Sequence, residues 1–372
     1  MGIAQLTNPR ILEINPYVPG KPVEEIEREF GLKRVIKLAS NENFLPIPAN
    51  VRQAIRQEMA QIHFYPDSDN FYLRQRIAAH NGVDFAQVTV GAGSVELIRM
   101  IIVCFLRSGQ KVLTSEKTFS LYEICTTEIA GKKAFCAVPM DSELRFDLEA
   151  IRGRMDESVG IIFLTNPNNP TGTMLPKAAM LDFIRRVPDH VIVVLDNAYQ
   201  EYVDDPGDHL DGIDLVRSRP NVIILRTFSK IYGLAGLRVG YAISNPEIIA
   251  ILNRVKAPFS VTRVSQRAAL AALENDEYTK KSRRLNRIHK AWLLARLREL
   301  GLRVIPSQTN FLLFFPGVDV AELNRRLMRQ GVIVRPTGGF GVPDAIRVTV
   351  GSRSDNDFFI RKLKASLAEM RG

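Results

Sequence analysis

An α/β fold is predicted, with a mostly parallel sheet in a large domain, helices on both faces, and a smaller α+β domain following. Three observations predict it. Short apolar runs rich in Val and Ile recur along the first two thirds of the chain, amphipathic helical patterns separate several of them, and beyond about Pro246 long helical stretches replace the alternation.

The first ~35 residues carry Pro9, Pro16, Pro19 and Pro22, which predicts an extended arm. Val88–Val90, Lys111–Thr114, Ala134–Val138, Gly160–Leu164, Val191–Leu195, Val222–Leu225 and Val239–Ile243 read as buried strands. Between the first two, Ser94 to Leu106 places Val95, Ile98, Ile101, Ile102 and Phe105 on one helical face. Such crossovers impose a parallel arrangement. Pro246–Val255, Thr262–Leu273 and Tyr278–Leu300 are helix-like, strands are expected near Phe311–Phe315 and Arg347–Val350, and a helix over Asp355–Met370 closes the pattern. The expected domains are residues 1–37 as arm and part of the small domain, 38–250 as the large domain, and 251–372 as the small one.

The 372 residues suffice to bury a core without disulfides, and the composition of 46% hydrophobic and 24% charged residues excludes disorder and coiled coil. No apolar run approaches the ~18 residues of a membrane span, and Met1–Leu6 lacks the basic and apolar regions of a leader, so a cytoplasmic protein is expected. Cys104, Cys125 and Cys136 fit free thiols in a reducing compartment. The net charge of +10 raises nucleic acid as a partner, but the basic residues are dispersed, as in Lys280–Arg284 with Glu274, Asp276 and Glu277 nearby. That pattern suits solvated helix faces, and the excess suits anionic small substrates. His63, His80, His190, His209 and His289 lack metal-ligand spacing.

In an open parallel sheet, ligands bind beyond the carboxyl ends of the strands, where loops and helix N-termini gather. After Val88–Val90 comes Gly91-Ala92-Gly93-Ser94, which serves equally as a phosphate cup or a plain capped turn. After Gly160–Leu164, Asn166 to Gly172 forms a rigid turn whose amides can meet a ligand. Asp196 ends Val191–Leu195; a carboxylate there is desolvated and needs a cationic partner, unless it only caps the next turn. Lys230 follows Val222–Leu225; it is either a surface lysine or a desolvated amine of lowered pKa, usable as a nucleophile. The cup, the acid and the amine arrive at one sheet edge. Together they suit a phosphorylated aldehyde with a protonated ring nitrogen, which pyridoxal phosphate satisfies, Lys230 condensing with the aldehyde and Asp196 pairing with the pyridinium.

Asn166–Gly172, Asp196–Tyr199 and Ser229–Arg238 also resemble the fold-type I pyridoxal-phosphate-dependent aminotransferases, and among them the histidinol-phosphate aminotransferase family. The likeness extends to Tyr17–Pro22, Leu38–Asn43, Tyr65-Pro66-Asp67, Val334–Pro336 and Arg347–Gly351. It implies that Asn169 and Tyr199 donate to the cofactor's phenolic oxygen, that Ala92, Gly93, Ser94, Ser229 and Arg238 hold its phosphate with Thr227 beside them, and that Phe119 stacks on the ring. Tyr65 would reach the phosphate from a partner subunit, making a homodimer with shared sites. Arg347 would clamp the carboxylate of glutamate or 2-oxoglutarate, while Arg335 and Tyr17 would meet the far anion, which is glutamate's side-chain carboxylate or the phosphate ester of histidinol phosphate. Asn43 would join the substrate-binding residues.

The implied reaction is a two-stage transfer of an amino group. Two positions depart from the family's pattern: Asn43-Phe44-Leu45-Pro46 lacks the usual Pro and Gly after the second Asn, and Ser68 stands where Gly often follows Tyr-Pro-Asp. Phe119 also replaces a common Tyr. The rival expectations are a broad-specificity aromatic-amino-acid aminotransferase, and a decarboxylase or lyase using the same cofactor. A regulator that only binds the cofactor would need a DNA-reading module, for which the arm is too short.

Overall fold

The computed structural model describes residues 2–16 and 20–371. Seven strands form the large sheet in the spatial order Val88–Gly91, Gly240–Ser244, Val222–Thr227, Ile192–Asp196, Val159–Thr165, Lys111–Ser115 and Phe135–Val138. All neighbouring pairs are parallel except those made by Gly240–Ser244, which runs antiparallel to both of its neighbours. Each run expected from the sequence is a strand of this sheet.

The sheet is buried on both faces, which is why its strands read as continuous apolar runs rather than alternating ones. Along Ile192–Asp196, Val193 and Leu195 enter one core while Val194 enters the other; Ile162 and Leu164 are likewise separated from Ile161 and Phe163. Helix Ser94–Phe105 covers one face with Leu97, Ile98, Ile101 and Ile102, all fully buried. Gly240 lets the loop before that helix lie directly on the strand: a Cβ there would stand 2.7 Å from the Ser94 nitrogen.

The second sheet is antiparallel, in the order Arg335–Pro336, Ile346–Thr349, Phe311–Phe315 and Arg303–Ile305. Helices Asp276–Glu299 and Arg353–Arg371 pack on it through Leu293, Leu297, Phe359, Leu363 and Leu367. The expected boundary at 250/251 falls inside helix Pro246–Val255, whose Ile248, Ile249 and Leu252 belong to the large core. Helix Arg263–Ala272 also packs there through Ala268, Ala269 and Ala272. We therefore propose that the small domain begins within Asp276–Glu299.

The N-terminal region corrects the expectation of an extended arm. Val23–Phe30 is a helix that buries Ile26, with Pro22 at its N-cap, Glu24 and Glu25 in its first turn, and Gly31 closing it in the left-handed conformation at φ 63°. Proline's fixed φ suits a helix entrance, so this proline marks a beginning rather than a break. Short helical turns also occupy Ile3–Leu6 and Pro9–Leu12. The two-residue strand Ile36–Lys37 then pairs in parallel with Val332–Ile333. Among the described residues, no helix is long and apolar enough to cross a membrane.

Candidate active site

Asp196 is the last residue of a strand flanked by two parallel neighbours, opposite Thr165 on one side and Leu225 on the other. That register carries its carboxylate to the sheet edge, where it is 4% exposed. Burial raises its pKa above the usual carboxylate range; the Tyr122 hydroxyl, the Ala198 N–H and the Lys230 charge pull it back down. Tyr122 donates to Oδ2 at 2.7 Å and the Ala198 N–H to Oδ1 at 3.1 Å. Tyr122 is itself fully buried, stacked on Phe163 and edge-on to Phe119.

Lys230 stands three residues beyond strand Val222–Thr227, and its Nζ donates to the Ser40 carbonyl at 3.2 Å. Desolvation, with Arg347 and Arg238 adding to it against Glu42 and Asp196, pushes its amine down to about 7. Both Lys230 and Asp196 line one cavity of 160 Å³, together with Tyr199, Asn169, Phe119 and Arg347. The Lys230 amine lies 5.6 Å from the centre of the Tyr199 ring.

At one end of this cavity Ser94, Thr227, Ser229 and Arg238 converge. Ser94 opens helix Ser94–Phe105, whose unpaired N–H groups favour an anion. Gly93, at φ 80°, leaves room for the Arg238 guanidinium, which a Cβ would strike. Arg238 donates to Ser229 Oγ at 3.2 Å, and Thr227 Oγ1 accepts from the Ser229 N–H at 3.0 Å. Ala92 departs from its expected part. Its N–H donates to Glu96 Oε2 at 2.5 Å, a carboxylate oxygen that also accepts from Ser260 Oγ at 3.0 Å, so this amide is already engaged.

At the other end, Arg347 donates through Nη1 to Asn169 Oδ1 and through Nη2 to the Ala39 carbonyl at 2.7 Å. Asn169 sits in the expected rigid turn, where the bonds preceding Pro167 and Pro170 are both cis. Arg335 lies opposite Arg347 in the small sheet, and the Phe340 ring has both guanidinium carbons within reach, at 5.3 and 5.4 Å. Phe340 faces the inner cavity, whereas Arg335 lines a cleft of 640 Å³ on the arm side.

Two expected residues lie away from this cavity. Asn43 is corrected to a structural part: its Nδ2 donates to the Ile231 carbonyl and Ser282 Oγ, both at 2.9 Å, and its Oδ1 accepts from the Leu45 N–H. Asn41, two residues earlier, lines the cavity instead. Tyr65 is 77% exposed and stacked on Phe259, away from this chain's own cavity. Tyr17 falls outside the described residues. Asn41, Tyr122 and Phe340 also belong to the site; only Asn41 carries a signal in the sequence, since asparagine suits the left-handed backbone that it adopts at φ 55°.

A lowered amine, a buried carboxylate and an anion cradle around one cavity fit a phosphorylated aldehyde with a basic ring nitrogen. The family described as aminotransferase class I and II matches residues 33–363. The histidinol-phosphate aminotransferase of Anaeromyxobacter sp. (strain Fw109-5) is 44% identical over 95% of this chain and 96% of its own length. That of Moorella thermoacetica is 43% identical over 96% of this chain and 92% of its own. The crystal structure of the Sinorhizobium meliloti histidinol-phosphate aminotransferase in complex with pyridoxal-5'-phosphate superimposes with a TM-score of 0.88 at 29% identity, covering 96% of this chain and 97% of that one. The chain belongs to the class I and II aminotransferases, within the histidinol-phosphate aminotransferase family.

Proposed function

We propose that the chain uses pyridoxal phosphate to move an amino group between glutamate and imidazole acetol phosphate, giving histidinol phosphate in histidine biosynthesis. The observation that carries this reading is the meeting of Lys230 and Asp196 at one cavity, the amine shifted toward neutrality and the acid buried. When bound, the cofactor supplies a protonated ring that delocalises the electron pair left as the substrate's α-proton departs.

The chain's own residues do the rest. Asp196, held by Tyr122 and the Ala198 N–H, keeps a carboxylate against the ring nitrogen. Lys230 is the amine that holds the aldehyde and then carries the α-proton, a task suited to a base with a pKa of about 7. Ser94, Ser229 and Arg238, with Thr227 beside them, hold the phosphate, and Asn169 and Tyr199 serve the phenolic oxygen. Phe119 stacks on the ring without the hydroxyl of a tyrosine. Arg347 clamps the substrate carboxylate bidentately. Arg335, beyond Phe340, meets the second anion, so one site serves two unlike substrates because both bring one.

The working unit in this reading is a homodimer. Ile62, Phe64, Tyr65 and Phe259 form an exposed apolar patch that a second copy would cover, bringing Tyr65 to the partner's phosphate site. The free thiols of Cys104, Cys125 and Cys136 suit the reducing cytoplasm.

Spectroscopy with steady-state kinetics tests the reading. The purified protein is expected to be yellow, to change colour on adding glutamate, and to turn over histidinol phosphate in preference to phenylalanine. Protein that takes up no pyridoxal phosphate defeats the cofactor assignment, and a preference for phenylalanine defeats the substrate assignment.

A further inference from the structure

Asn41 is a buried polar group in the cavity wall that the proposed reaction leaves without a part. It is 1% exposed, and three hydrogen bonds with two residues fix it. Its N–H donates to Thr349 Oγ1 at 2.9 Å, its carbonyl accepts from Asn310 Nδ2 at 3.0 Å, and its side-chain Oδ1 accepts from the Thr349 hydroxyl at 3.3 Å. Its φ of 55° is the left-handed conformation that asparagine tolerates better than most residues, and these bonds hold it there. In this structure the Thr349 hydroxyl meets the oxygen end of the amide. The nitrogen end is at Tyr199, where Nδ2 donates to the hydroxyl oxygen at 2.9 Å.

A tyrosine oxygen that accepts from an amide gives its own proton to a different acceptor, and becomes a better donor in doing so. We infer that Asn41 is a positioning residue for the transfer reaction: it polarises the Tyr199 hydroxyl and turns its proton into the cavity, toward the cofactor's phenolic oxygen. The inference rests on the function proposed above. It also joins the two sheets, since the backbone of Asn41 is fixed by Thr349 of the small one and by Asn310 just before its strand Phe311–Phe315, while its side chain grips Tyr199 at the edge of the large one.

Ionisable groups surround Tyr199 on every side. Lys230 lies over its ring, Asp196 and Tyr202 flank it in its own segment, and Tyr122 comes from helix Leu121–Ala130. Arg347, Arg238 and Glu42 lie around Lys230. All of them are retained in the variants below except where Tyr199 itself is replaced. A donor to the phenolic oxygen favours the deprotonated form, in which that oxygen carries more negative charge. Losing the donor therefore raises the pH at which the bound chromophore changes colour.

The test compares wild type, Asn41→Gly, Asn41→Asp, Tyr199→Phe and the Tyr199→Phe/Asn41→Gly double variant. Glycine keeps the left-handed backbone and removes only the side chain. Two readings are taken: the pH midpoint of the visible absorption of pyridoxal-phosphate-loaded protein, and the affinity of the apo-protein for pyridoxal phosphate. Asn41→Gly is expected to raise the midpoint by about 0.5–1 pH unit and to weaken binding about two- to tenfold, the effect of one ordinary hydrogen bond. Asn41→Asp should raise it further, because a carboxylate there accepts the Tyr199 proton and withdraws it from the cavity. In the Tyr199→Phe background, Asn41→Gly should add nothing.

An unchanged midpoint in Asn41→Gly beside a raised one in Tyr199→Phe overturns this inference alone. So does an Asn41→Gly shift of equal size with Tyr199 absent. Wild-type protein that binds no pyridoxal phosphate overturns this inference and the proposed function together.

Discussion

The floor of the cavity and its rim are built in different ways. Asp196 and Lys230 stand at the ends of adjacent central strands, each embedded in a sheet buried on both faces, and their partners Tyr122, Tyr199 and Ser40 belong to the same chain. The rim draws on the arm and the short strand Arg335–Pro336, and in the proposed homodimer on the partner copy's exposed segment equivalent to that around Tyr65. Rigid strand ends suit groups that must hold a proton at a fixed atom, while segments outside the large sheet suit recognition of substrates that differ in size. The floor should therefore govern the rate of chemistry, and the rim the choice and affinity of ligands.

The largest effect is expected at the floor. Lys230→Ala should lower kcat by on the order of 10⁴-fold or more, because it removes both the nucleophile and the proton carrier; single-turnover absorbance with glutamate checks this, and measurable turnover breaks the distinction. Asp196→Ala should follow at about 10²–10³-fold in kcat with KM changed little, the weight of one preorganised electrostatic contact.

Rim variants should move the other parameter. Arg335→Ala is expected to raise KM for histidinol phosphate by about 10- to 100-fold while kcat stays within a few-fold, as loss of a charge-assisted contact requires. A fall in kcat of equal size would place Arg335 with the floor. Tyr65→Phe should weaken pyridoxal phosphate binding by about fivefold, measured by titration of the apo-protein, and only under conditions where sedimentation shows a dimer.

The smallest effect sharpens the account of Lys230. Its pKa in the folded chain, about 7, lies below the ordinary 10.5, so the unfolded chain binds more protons between those values and stability rises with pH across them. Apo Lys230→Met should melt a few degrees above apo wild type at and below pH 7. The gap should close as pH approaches 10.5.

The floor was legible in the sequence because a buried strand is a run of Val, Ile and Leu, and a charged residue directly after such a run stands out. Asp196 and Lys230 stand out in this way, and the structure brings both to one cavity with Ser94. Ala92 was misjudged because nothing in the spacing says that Glu96, four residues on, turns back to take its amide. Asn43 was misjudged because the turn at Asn41 decides which of the two asparagines faces the cavity, and a backbone angle leaves only a faint trace in residue type. Tyr122 and Phe340 read as ordinary apolar positions, their significance lying in partners from distant segments. The helix Val23–Phe30 was missed because prolines dominate the reading of the arm, although one of them introduces the helix.

The pairing of Ile36–Lys37 with Val332–Ile333 bears on how the molecule is assembled during synthesis. The segment bearing Ser40 and Asn41 leaves the ribosome well before its docking partners Asn310 and Thr349, which lie 269 and 308 residues further along, and Val332 between them. Contacts so distant along the chain close slowly and late. The floor can thus take shape on the nascent polypeptide well before the strip that crosses it is seated, and the site closes only after those distant partners have been made.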